Sequence, residues 1–152
     1  MVRLLEVSVN ISAIPRQKKI CILVIDDEEE IRNILERLLF GEGYDVEVAA
    51  NGKHALQKIE AGKTYQLIIC DLKMPLLNGS DFIGALRTIG KNIPVIVMTG
   101  QPERNWLMAA TKSGISAVFL KPFRHHDLMT KIKELFPIKL VSGIEPGKPR
   151  TA

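Results

Sequence analysis

The stretch KICILVIDDEEEIRNILERLLF, Lys19–Phe40, decides the fold. Its first part, Lys19–Asp26, is a short, nearly continuous apolar run that ends in a carboxylate. Such a run fits a parallel strand buried on both faces. Its second part, Glu28–Phe40, puts Ile31, Ile34, Leu35, Leu38 and Leu39 on one face of a helix. Gly41 and Gly43 follow, and glycine readily takes the left-handed backbone that ends helices. A buried strand feeding an amphipathic helix is the unit of a parallel α/β sheet.

Outward from there the unit repeats. Tyr44–Ala50 alternates Tyr44, Val46 and Val48 with Asp45 and Glu47, the pattern of a half-exposed edge strand. Asn51 is placed to cap a helix reaching Ala61, closed by Gly62. Tyr65–Cys70 is a second buried strand. Ser80 is expected to cap a helix through Ile89, with Phe82, Ile83, Leu86 and Ile89 inward. Ile93–Met98 is a third apolar strand, with Pro94 near its start, where a missing N–H is tolerated. Pro102 opens a fourth helix that ends at Ser113-Gly114. Ile115–Leu120 is the last strand, and Asp127–Phe136 the last helix, with Leu128, Ile132 and Leu135 inward. Five such units predict an α/β fold, a parallel sheet with helices on both faces and right-handed crossovers.

The chain has 152 residues and two cysteines, which suits one domain and excludes a disulfide scaffold. Its 46% hydrophobic and 25% charged residues exclude disorder along the whole chain. No apolar run reaches the ~18–20 residues of a membrane helix. Glu6 and Asn10 interrupt the N-terminal apolar stretch, so a signal peptide is not expected and the cytoplasm is. The net charge is +4, but residues 1–20 hold +3 and residues 138–152 hold +2, leaving −1 for residues 21–137. The charge balance therefore gives no evidence of a basic groove on the folded body, and nucleic-acid binding by the fold is not expected. Residues 1–18 read as an N-terminal extension, loose or paired as an extra strand through Val7, Val9 and Ile11. Residues 19–137 read as the domain, and residues 138–152, rich in Gly and Pro, as a disordered tail.

Ligands of parallel sheets bind beyond the carboxyl ends of the strands. There stand Asp26-Asp27 after the first strand, Asp71 after the third, Thr99 after the fourth and Lys121-Pro122 after the fifth. Three carboxylates crowded together repel one another unless a cation intervenes. Hard oxygen ligands of this kind suit Mg2+. A carboxylate left free can act as nucleophile toward phosphorus, giving an aspartyl phosphate. The Lys121 ammonium, the Thr99 hydroxyl and backbone N–H groups after the third strand can compensate the phosphoryl oxygens. Singly, each element has a plainer meaning. Asp-Asp before a helix usually caps it, and Lys-Pro is usually a surface loop. The set taken together points to chemistry.

With these motifs the chain resembles a receiver domain of the two-component response-regulator family. The resemblance rests on LVIDDEEEIR (Leu23–Arg32), DLKMPLLNG (Asp71–Gly79), VIVMTG (Val95–Gly100) and FLKPF (Phe119–Phe123), spanning about residues 19–137. It implies a flavodoxin-like, doubly wound five-stranded sheet in the order 2-1-3-4-5. It also implies that Asp71 is the phosphorylated residue and that Mg2+ is held by Asp26, Asp27, Asp71 and the backbone carbonyl of Lys73. Thr99 resembles the switch hydroxyl, Lys121 the lysine on a phosphoryl oxygen, and Pro122 the proline that often follows a cis peptide. The implied donor is a histidine kinase or a histidine phosphotransfer protein. The implied output is a protein contact on the face formed by the fourth helix, fifth strand and fifth helix, in a monomer or weak homodimer. The protein would be a phosphoacceptor, not a turnover enzyme, and either a stand-alone receiver or a piece of a larger regulator.

Two other readings fit less well. An aspartate-based phosphatase would want Asp-x-Asp at the end of the first strand, whereas here the third position is Glu28 and the expected nucleophile is on the third strand. A flavin module would want hydroxyls and glycines where Asp26, Asp27, Glu28, Glu29 and Glu30 stand.

The sequence departs from the family at the aromatic switch position, three before the lysine, where Val118 stands and the aromatic is Phe119. Strand alternation puts Val118 toward the fourth helix and Phe119 in the packed interior on the opposite face. Trp106 or Leu107 would then supply the missing apolar contact. Cys21 and Cys70 are offset by four residues on adjacent strands, about 13 Å at ~3.3 Å per residue, too far for a disulfide. His125-His126 lack further metal ligands and read as a solvated helix start.

Overall fold

The computed structural model describes residues 18–74, 76–101, 106, 108 and 112–137. The elements are β1 (Cys21–Ile25), α1 (Glu29–Gly41), β2 (Asp45–Ala49), α2 (Gly52–Glu60), β3 (Leu67–Asp71), α3 (Gly79–Thr88), β4 (Val95–Thr99), β5 (Ile115–Leu120) and α4 (His125–Leu135). The five strands form one sheet in the order β2-β1-β3-β4-β5, with every neighbouring pair parallel. This is the expected doubly wound order. Trp106, Met108 and Lys112 lie in helical backbone, while the rest of the fourth helix expected from sequence falls outside the described residues. So do the expectations for Leu107, for residues 1–17 and for residues 138–152.

Apolar alternation sorts the core into two layers. On one face Leu23, Ile25, Ile68, Cys70, Val95 and Val97 pack against Ala55 and Ile59 of α2 and Phe82, Ile83 and Leu86 of α3. On the other, Ile22, Val24, Leu67, Ile69, Ile96 and Met98 pack against Leu35 and Leu39 of α1 and Leu128, Met129 and Ile132 of α4. The central strands feed both layers, which is why β1, β3 and β4 read as unbroken apolar runs. Edge strand β2 is less buried: Val46 and Val48 pack into the second layer and Ala49 into the first, and of its five residues only Ala49 is fully buried.

Several local expectations need correction. The side-chain cap of α3 is Asn78, whose Oδ1 accepts from the Asp81 N–H at 2.9 Å, and not Ser80, which is already helical. The last helix begins at His125, two residues before Asp127. Gly41 stays inside α1, and the left-handed turn falls on Gly43 alone, at φ 94°. In β5 the register slips between Ile115 and Ala117, so Ser116 forms a bulge opposite Val95/Ile96. Beyond the bulge alternation is regular. Val118 packs in the layer that holds Trp106, and Phe119 in the opposite layer. Phe119 is half-buried rather than fully interior, because β5 is an edge, and its ring sits 5.5 Å from that of Phe123. The Lys121-Pro122 peptide is cis. Both cysteines are free, and Cys70 pairs in register with Ile25, four residues beyond Cys21. No helix among the described residues is long and apolar enough to cross a membrane.

Candidate functional site

Parallel pairing brings the C-terminal ends of the strands to one edge of the sheet. Asp26 follows β1, Asp71 and Thr99 are the last residues of β3 and β4, and Lys121 follows β5. Asp26 is fully buried, Thr99 and Asp71 nearly so, and Asp27 is exposed. Carboxylate oxygens of Asp26, Asp27 and Asp71 all lie within 4.8 Å of one another. Among the described residues they form the one group of His, Cys, Asp or Glu side chains disposed for a metal ion; His125 and His126 are not part of it.

The Lys121 ammonium bridges two of these acids. Its Nζ donates to Asp26 Oδ2 at 3.1 Å and to Asp71 Oδ2 at 3.2 Å. Burial alone would depress this ammonium, but its hydrogen bond to Asp26 and the charges of Asp26 and Asp71 outweigh that and raise its pKa. Burial pushes the Asp26 carboxyl upward, and the Glu28 N–H, donating to Oδ1 at 2.9 Å, and Lys121 offset this only in part. Like charges ~4 Å apart repel by about 4 kcal/mol at an effective dielectric of ~20. Three carboxyl groups against one ammonium give the cluster a formal charge of −2. The donor set is therefore one that a hard divalent cation neutralises, and the residues fit Mg2+.

The loop after β3 is ordered around Asp71. The Lys73 N–H donates to Asp71 Oδ1 at 3.3 Å. Gly79 opens α3 hard against the strand end: a Cβ there would lie 2.5 Å from the Asp71 carbonyl oxygen. Between them Leu76 holds a left-handed φ of 69°, uncommon for a branched side chain, and is 82% exposed.

Four contributors escape a sequence reading. Gln101 donates its N–H to Thr99 Oγ1 at 3.2 Å, and its side-chain oxygen accepts from Lys73 Nζ at 2.9 Å, closing the two loops together. Arg32 donates to the Asp26 carbonyl at 2.7 Å, fixing the first acidic turn from one turn along α1. Ser80 accepts a hydrogen bond from the Trp106 indole, and Asn78 caps α3. Only Asn78 carries a local signal, its place just before a helical glycine; the others act through contacts no periodicity encodes.

With fold and geometry in hand, comparison with known proteins places the chain. The response regulator receiver domain description matches residues 22–133. The chain belongs to this family, the receiver domains of two-component systems. It is 33% identical over 129 residues to the transcriptional regulatory protein CpxR homolog of Haemophilus influenzae, a match covering 82% of this chain and 56% of that protein. It is 31% identical over 118 residues to sporulation initiation phosphotransferase F of Bacillus subtilis, covering 78% and 94%. Thus the chain spans about half the first relative and nearly all of the second. Among solved structures, a CheY-like receiver domain protein from Methanospirillum hungatei superposes with a TM-score of 0.73 at 30% identity, covering 78% of this chain and 94% of that one. The response regulator TrrA from Thermotoga maritima, solved in complex with Mg(2+)-BeF, gives 0.66 at 33% identity, covering 76% and 98%.

Proposed function

We propose that this protein is a phosphoacceptor that takes a phosphoryl group on Asp71, with Mg2+ held by Asp26, Asp27, Asp71 and the Lys73 carbonyl. The observation that carries this reading is Lys121 poised 3.2 Å from Asp71 beside a cluster of three acids, Asp26, Asp27 and Asp71. The Mg2+-BeF complex of the TrrA relative supports it.

The donor is a phosphohistidine on a histidine kinase or phosphotransfer protein. An Asp71 carboxylate oxygen attacks the phosphorus as the P–N bond breaks, and the imidazole leaves with that electron pair and takes up a proton. The Lys121 ammonium moves from the carboxylates to a phosphoryl oxygen, and the Thr99 hydroxyl donates to another. Bound Mg2+ supplies further charge compensation to the phosphoryl oxygens. Water later cleaves the acyl phosphate, returning the Asp71 carboxylate and inorganic phosphate. The protein is thus consumed and regenerated as a signal and is not a turnover enzyme. Its place is the cytoplasm. Its output is a changed protein contact on the face that carries Trp106, β5 and α4.

The test is intact mass after mixing with acetyl phosphate. One phosphoryl group should add with Mg2+ present and none with a chelator. A gain indifferent to the chelator overturns the metal assignment, and no gain under either condition overturns the phosphoacceptor reading.

A further inference from the structure

Among the described residues, helix α3 holds the chain between β4 and β5 at two points. At its far end the Arg87 guanidinium donates to the carbonyls of Ser113 at 3.1 Å and Gly114 at 3.4 Å, and also to those of Lys91 and Ile93. These are several charge-assisted bonds to backbone. At its near end the Trp106 indole N–H donates to Ser80 Oγ.

Ser80 is the second residue of a helix whose start is fixed to the active site. The Gly79 N–H donates to the Leu72 carbonyl at 3.0 Å, and the backbone contact at Gly79 leaves no room for a side chain. Trp106 is thus bonded to a residue whose helix start packs directly against the Asp71 backbone. Beside this bond lies a cavity of about 220 Å3, walled by Lys73, Ser80, Thr99, Gln101 and Trp106 among others. Part of that wall is the switch hydroxyl and its partner Gln101. On the same face, β5 presents Val118. A β-branched valine has no ring to swing into the space.

We propose that Trp106 is the moving aromatic of this protein, and that its bond to Ser80 is the latch that holds the unphosphorylated state. When Asp71 carries a phosphoryl group, the Thr99 hydroxyl turns toward β3 and loosens the Gln101 amide it now accepts from. The wall opposite Ser80 gives way. The indole then leaves Ser80 for the cavity, while Arg87 keeps the far end of the connection in place as the pivot. This rests on the phosphoacceptor reading of Asp71 and adds the residue that transmits it.

Trp106 is the only tryptophan in the chain, so its emission reports the latch directly. The experiment follows emission, acrylamide quenching and intact mass on the same samples of full chain with Mg2+, before and after acetyl phosphate. Wild type should gain one phosphoryl group, shift its emission by several nanometres and become harder to quench. Ser80→Ala should gain the same mass, show the shifted, shielded emission before acetyl phosphate is added, and move by less than half the wild-type shift afterwards. Ser80→Thr, which keeps the acceptor oxygen, should restore wild-type behaviour. Full mass gain in wild type with static emission overturns the latch alone. So does Ser80→Ala behaving as wild type, or Ser80→Thr behaving as Ser80→Ala. Absence of the mass gain overturns the phosphoacceptor reading beneath it.

Discussion

The Lys121 ammonium stands 3.2 Å from Oδ2 of Asp71, although 50 residues separate the two in the chain. Only the parallel sheet joins them, through β4, which pairs with β3 on one side and β5 on the other. The Lys121 N–H donates to the Thr99 carbonyl at 2.8 Å, so the backbone that places the Thr99 hydroxyl also places the cation.

Replacing Lys121 by Ala should slow phosphorylation of Asp71 more than it unfolds the protein. The fully buried Asp26 loses its cationic partner, which costs about 1–3 kcal/mol at neutral pH. Asp26 can answer by taking a proton, so the variant should regain stability on mild acidification. Denaturant midpoints at two pH values check this, and a variant that is unfolded at every pH would mark Lys121 as structural instead.

Glu47 should make stability fall in acid. Burial pushes its carboxyl up, but Lys63, the Tyr65 hydroxyl and Lys58 outweigh burial and hold it below the ordinary carboxylate value. A carboxyl whose folded pKa is depressed adds stability above its unfolded pKa and loses it as pH falls through the folded one. Glu47→Gln should therefore be less stable than wild type near pH 7, with the two curves converging in acid. The loss is modest, because Lys63 is largely exposed. A constant offset at all pH values would assign Glu47 a purely packing role.

Gly79→Ala should damage the site from outside it. The new methyl would meet the Asp71 carbonyl oxygen at 2.5 Å, so α3 or the strand end must shift. Overpacking of this kind costs about 1–3 kcal/mol. Phosphorylation should slow as well, because the displaced loop holds Lys73 and the Asp71 carboxylate. Thermal midpoint and the rate of mass gain measure the two effects. An unchanged rate would show that the loop accommodates the methyl without moving Asp71.

Leu76→Asn should stabilise the protein. The leucine spends left-handed backbone on an almost fully exposed side chain, and asparagine tolerates that region. A gain of about 1 kcal/mol in chemical denaturation, with phosphorylation unchanged, is the expected result. A loss of stability would show that the leucine makes a contact worth more than its strain.

Much of this was legible in the sequence because the relevant signals are local. Apolar runs ending in Asp26, Asp71 and Thr99 mark strands buried on both faces, and the edge alternation of Tyr44–Ala50 marks β2. The site residues then converge because strand ends share an edge. What stayed hidden depends on contacts made only after folding. Asn78 and Ser80 are both good caps two residues apart, and the close approach of Gly79 to Asp71 decides between them. The bulge at Ser116 has no composition cue. Gln101 and Arg32 serve Thr99 and Asp26 through bonds that neither helical nor strand periodicity announces.

The central claim is that the phosphoryl group resides on Asp71 and on no other acid of the cluster. Borohydride reduction of the protein after treatment with Mg2+ and acetyl phosphate converts an aspartyl phosphate to homoserine, which peptide mapping locates. Homoserine at position 71, and none in an Asp71→Asn variant that remains folded, is the result this account predicts. Homoserine at position 26 or 27, or labelling of the Asp71→Asn variant at the wild-type rate, would contradict it.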